Sequence, residues 1–258
     1  MNSNDPYAPR GPDPYAVPRA AGPQPLPPEN LAAESEDEVV AEEPLELNDD
    51  MLAAAPPRRF DFERGMSRLP VLTIGLIVVL IVVFIWEVAT HALANEAAIM
   101  RAGALERKAV QAGEWWRIPA SMHLHGSFDH LAGNCFGLFL LGLAIEHAYG
   151  FGPAALMYFV AGTAGAVLSL AFEGGPTVGA SGAIFGWWGA AVVFYFRYRD
   201  RLTPRDTRVG FVLLVWAGWT ILTGFLQPEV SNFSHLGGFL AGAGLALLIP
   251  TRLTELKT

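Results

Sequence analysis

The run PVLTIGLIVVLIVVFIWEVAT at residues 70–90 contains a single charged residue, Glu87. A helix needs about 20 mostly apolar residues to cross the hydrocarbon core of a bilayer, and this stretch supplies them. Further apolar stretches follow at residues 130–145, 153–172, 181–196, 209–226 and 234–249. Several are short and rich in glycine, and any one alone would pass for a buried helix of a soluble protein. Six in series, joined mostly by short links, read as membrane spans. Backbone groups find no water in the bilayer core, so each span is expected to be helical. The expected fold is an all-α membrane protein: a six-transmembrane-helix bundle with a long outer loop, residues 91–129, between helices one and two.

Charge sets the orientation. Arg58, Arg59, Arg64 and Arg68 precede the first span, and Arg197, Arg199, Arg201, Arg205 and Arg208 fill the link between spans four and five. Arg252 and Lys257 follow the sixth. Cytoplasmic loops carry the excess of Lys and Arg, so both termini are placed in the cytoplasm. The links EGGPT and QPEVSNF carry neither residue and fall outside. The long loop also falls outside; it does hold Arg101, Arg107, Lys108 and Arg117, but the rule weakens over long loops.

The net charge of −8 belongs to residues 1–69; beyond them the charges balance. That stretch holds prolines from Pro6 to Pro28 and then the acidic run ESEDEVVAEEPLELNDD. It has few large apolar side chains to offset the entropy of ordering, so it reads as a disordered, acidic, proline-rich cytoplasmic tail. A docking tail for a partner is the alternative. Residues 70–250 form the membrane domain and residues 251–258 a short cytoplasmic tail. The start shows no secretory signal peptide and no Arg-rich, acid-poor presequence. The expected location is a bacterial plasma (inner) membrane.

Cys135, the one cysteine, excludes an intramolecular disulfide and a zinc-type cysteine cluster. The loop histidines His123 and His125 lack a third ligand in sequence. No metal, no cofactor and no nucleic-acid partner are expected. The lipid bilayer is the expected surroundings, and the oligomeric state stays open.

Polar residues enter the spans at one depth. His130 and Asn134 open span two, Ser181 opens span four and His235 opens span six, each at its outer end. Intramembrane polar groups are costly and mark functional sites. Serine and histidine supply a nucleophile and the base that activates it. His130 and Asn134, four apart, share a helix face and offer two donors to a developing oxyanion. The Ser181 amide at a helix N-terminus adds a third. A plainer reading stands beside this one. Gly182 and Gly186 form a GxxxG, as do Gly238 and Gly242, and Ser181 also fits as a small contact residue between close helices. GASGA misses the nucleophile elbow of soluble hydrolases, because Ala183 replaces the second glycine and no strand precedes it.

Taken together, GASGAIFG, HLAGN, SHLGG and WWR resemble the rhomboid intramembrane serine proteases over about residues 70–250. The resemblance implies a dyad of Ser181 as nucleophile and His235 as base, with His130, Asn134 and the Ser181 amide as oxyanion hole. It implies that Trp116 and Arg117 stabilise the outer loop, that Glu146 is structural, and that His125 lies near water of that loop. Phe185 stands where many members have a tyrosine; its ring can still orient His235, without the hydroxyl. Transmembrane protein substrates are the implied partners, cut where their helices are weak and carry a small side chain. The rival readings are a rhomboid-fold protein that binds or escorts membrane clients without cutting them, and a small transporter.

Overall fold

Every regular element among the described residues is helical; the only strand-like pairings there are two isolated bridges. The computed structural model describes residues 59–67, 69–173, 175–227 and 230–253, all within the unit Pro56–Thr258. The helices are α1 (Val71–Ala89), α2 (Glu96–Ala102), α3 (Arg107–Gln111), α4 (Arg117–Ser121), α5 (Phe128–Tyr149), α6 (Phe151–Phe172), α7 (Ser181–Arg197), α8 (Pro204–Gly224) and α9 (Asn232–Leu248). The disorder expected for residues 1–58, and the tail at 254–258, lie outside the described residues.

Among the described residues four helices, α1, α5, α6 and α8, are long and apolar enough to cross a membrane. The other two of the expected spans, α7 and α9, have 17 residues each. At 1.5 Å per residue they reach about 25 Å, short of the ~30 Å hydrocarbon core. The long loop carries the short helices α2 to α4.

Local signals set several boundaries. Ser127 caps α5 by accepting from the His130 N–H at 3.2 Å. Thr203 caps α8, with Pro204 at its first position and Asp206 in its first turn, as the unpaired N–H groups and positive dipole end favour. α1 has no cap of its own. Its free amides are met from another helix: Glu146 on α5 accepts from the N–H groups of Leu72 (3.1 Å) and Thr73 (2.8 Å) and from the Thr73 hydroxyl (2.7 Å). A carboxylate there meets the same demand from N-terminal amides.

α7 is the hub. It packs against α9, α6, α8 and α5, and is buried without a break from Gly182 to Val192. A helix enclosed on all sides needs small residues where neighbours approach closely. A Cβ on Gly238 would overlap the Gly182 carbonyl, and one on Gly242 the Gly186 carbonyl. The two GxxxG pairs thus face each other, backbone to backbone. Trp187, fully buried, donates its indole N–H to the Ala154 carbonyl of α6 at 2.9 Å.

Within residues 59–67, which the sequence reading places in the tail, Phe60, Phe62 and Met66 pack onto the bundle. Phe60 pairs with the α7–α8 link: its N–H donates to Arg201 O (2.7 Å) and its carbonyl accepts from Thr203 N (3.1 Å). Phe62 buries its ring among His147, Phe194 and Tyr195, at centroid distances of 5.1, 5.1 and 5.4 Å. Its N–H donates to Asp206 Oδ2 at 3.2 Å.

Candidate active site

The N-terminal turns of α5, α7 and α9 meet at one end of the bundle around a cavity of about 1010 Å³. Ser181, His235, His130, Asn134 and Phe185 all line it, so the polar residues singled out in sequence share one space. Glu173, Phe225 and Gln227 border it from the ends of α6 and α8.

The segment before Ser181 explains how the nucleophile candidate meets the donor candidates. Leu105 and Thr177 exchange two backbone hydrogen bonds at 2.9 Å, tying the long loop to the entry of α7. The Gly179 N–H then donates to Ser121 O at 2.9 Å. Gly179 has φ +120, and a Cβ there would lie 2.7 Å from His130 Nε2 and 3.4 Å from Asn134 Nδ2. Only glycine accepts both that conformation and that approach. Ser181 opens α7, so its N–H has no partner within the helix.

His235 is buried on α9, and its ring stacks on Phe185 with centroids 4.1 Å apart and planes 8° from parallel. Phe185 leans in turn on Trp188. Among the described residues, His235 Nδ1 has no hydrogen-bond partner. A resting site is often looser than its working form.

His130 and Asn134 are held by the loop before α5. Asn134 Nδ2 lies 2.9 Å from His125 Nε2, and the rings of His125 and His130 meet edge to face at 5.1 Å. Burial, and secondarily the neighbouring His130, lowers the His125 pKa to about 4, so its ring is neutral at pH 7. Arg117 is buried in the long loop, where Nη1 donates to Met100 O (2.6 Å) and Ala104 O (2.9 Å) and Nε pairs with Glu114 (2.5 Å). The Trp116 ring lies against Gly103 beneath that guanidinium. Trp116, Arg117 and Glu146 all sit outside the cavity lining.

Sequence reasoning missed three contributors. Gly179 lay within the motif but was not separated from it. Glu173 accepts from the Ser169 hydroxyl at 2.8 Å, from the Ser231 hydroxyl, and from the Phe233 N–H at 3.1 Å. It thereby caps α9, which has no side-chain cap of its own, two residues before His235. Glu87 accepts from the His125 N–H at 3.0 and 3.1 Å. Its signal was present: a lone carboxylate in the most apolar stretch of the chain. No group of three or more His, Cys, Asp or Glu is placed to hold a metal among the described residues.

Comparison with known proteins gives the family of the chain. The chain is 35% identical over 159 residues to rhomboid protease GluP of Bacillus subtilis (strain 168), covering 60% of this chain and 31% of that protein. It is 34% identical over 161 residues to RHOMBOID-like protein 5 of Arabidopsis thaliana, covering 60% of this chain and 50% of that one. With rhomboid protease AarA of Providencia stuartii it shares 29% identity over 210 residues, 70% of this chain and 74% of the relative. The matched stretch thus spans just under a third of the first relative and half of the second. Residues 112–252 match the Rhomboid domain, more than half of the chain and the whole of the cavity-lining set; the chain belongs to the rhomboid family.

Proposed function

We propose that this protein is an intramembrane serine endopeptidase working through a dyad of Ser181 and His235. The observation that carries the reading is the shared cavity, in which a helix-opening serine, a stacked imidazole and two side-chain donors converge. His235 takes the Ser181 proton as the hydroxyl attacks a peptide carbonyl. His130, Asn134 and the Ser181 N–H then hold the oxyanion, each such donor being worth roughly 10²-fold in rate. The oxyanion collapses as the C–N bond breaks and His235 gives its proton to the departing amine; the acyl-enzyme ester left on Ser181 is then hydrolysed by water that enters through the cavity mouth and loses its proton to His235. Phe185 orients the base by stacking alone.

In this reading α7 and α9 join the four longer helices as spans, both termini are cytoplasmic and the cavity opens on the outer side. Bacterial plasma membrane is the proposed location. Substrates are membrane-anchored proteins whose transmembrane helix must open locally, because a regular helix shields every carbonyl. A His235 Nδ1 with no hydrogen-bond partner among the described residues favours a second reading, a non-cutting rhomboid that binds membrane clients. A serine-directed fluorophosphonate separates the two. Labelling of the folded protein that disappears in Ser181→Ala supports the peptidase; no labelling, or equal labelling of both, supports the client-binding reading.

A further inference from the structure

We propose that His125 and Glu87 are positioning residues that hold the Asn134 amide with its nitrogen toward the oxyanion; this rests on the endopeptidase reading above. An asparagine amide has nearly the same shape either way round, and only its NH2 side can stabilise a developing negative charge. Something must therefore select the orientation. The selection begins with the His123 carbonyl, which lies 3.3 Å from His125 Nδ1 and can only accept. It draws the ring proton to Nδ1 and leaves Nε2 as an acceptor. Nε2 is 2.9 Å from Asn134 Nδ2, so it takes one amide hydrogen. The second hydrogen is left for the cavity, on the side where the backbone of Gly179 leads to Ser181.

The imidazole in turn needs a fixed base. Its backbone N–H sits between both oxygens of Glu87, a carboxylate with no exposed surface on α1. Besides Asn134, the groups that face His125 are therefore Glu87 from α1, His130 from α5 and His123 from its own loop. His130 meets it edge to face, so the same ring also limits the rotation of the second donor. A carboxylate buried at this depth is costly. Its contact with a loop amide, 38 residues away, ties α1 to the donors without touching the reacting atoms.

The test is a double-mutant cycle on the full chain in proteoliposomes. The probe is a synthetic transmembrane peptide with a Gly-Ala step near one end and a donor–quencher pair across it. His125→Ala is expected to lower kcat by about tenfold or more while KM stays within about twofold. In an Asn134→Ala background the same substitution is expected to cost less than about twofold, because there is no amide left to orient. The same loss in both backgrounds overturns the proposal. If His125→Ala does not fold, His125→Gln offers an acceptor to Asn134 Nδ2 and should retain most of the activity. A folded His125→Gln with no more activity than Asn134→Ala also overturns it. Ser181→Ala run alongside keeps the two questions apart: cleavage that survives there defeats the endopeptidase reading itself.

Discussion

α7 and α8 are neighbours in sequence and in space, yet they are held by opposite means. α7 is buried along nearly its whole length, whereas α8 buries only Asp206, Gly210, Ala217 and Gly224 and turns Trp216, Trp219, Leu222 and Phe225 outward. Hydropathy alone would misjudge them, since α8 passes as a membrane span and α7, the hub, does not. In a membrane an apolar side chain gains little by choosing protein over lipid, so close contact between small residues decides which helices lock. α7 and α9 lock through glycine against carbonyl. α8 is free to face lipid and touches the site at its end, through Phe225 and Gln227.

The sharpest way to break this contrast is Gly238→Leu. Its side chain would enter the Gly182 backbone, and a loss of about 3 kcal/mol or more is expected. Thermal unfolding in detergent reads the effect; an unchanged midpoint would show that the seam gives way easily. Glu146→Ala comes next. It strips two buried backbone amides and a hydroxyl of their acceptor, for an expected loss of about 2 kcal/mol. Stability to unfolding checks this, and Glu146→Gln should recover part of it.

Acid provides a third comparison. The unfolded chain protonates His125 near pH 6.5, whereas the folded chain resists until about pH 4. Between those values the unfolded state binds the extra proton, so stability falls as pH falls through that window. His125→Gln should flatten this part of the pH–stability curve; an unaltered slope would put the acid response elsewhere. The smallest effect belongs to α8. Trp219→Leu on its outward face is expected to shift stability by less than about 0.5 kcal/mol. A loss comparable to Gly238→Leu would mean that α8 is packed against something other than lipid.

The sequence showed what is periodic or local. Each expected span coincides with one helix, with edges moved by a few residues: α5 begins at Phe128 and ends at Tyr149, beyond the expected 130–145, because Ser127 caps it and Gly150 stops it. The facing of Gly182 and Gly186 against Gly238 and Gly242 was also legible, since small residues at that spacing serve close helix contact. What was hidden depends on partners far along the chain. Glu87 and His125 are 38 residues apart, Glu173 and Phe233 are 60 apart, and Phe62 and Asp206 are 144 apart. Nothing local tells a buried acid which amides it will meet. The short helices of the long loop were also unreadable, since five to seven residues carry too little periodicity to declare a helix.

The seat of Phe62 has a mechanical consequence. Phe60 pairs with the α7–α8 link on both sides of its peptide, and the Phe62 ring is wedged beneath α7. A pull on the polypeptide ahead of them is therefore borne like a load on a rivet, at the foot of α8, before any of it reaches α1.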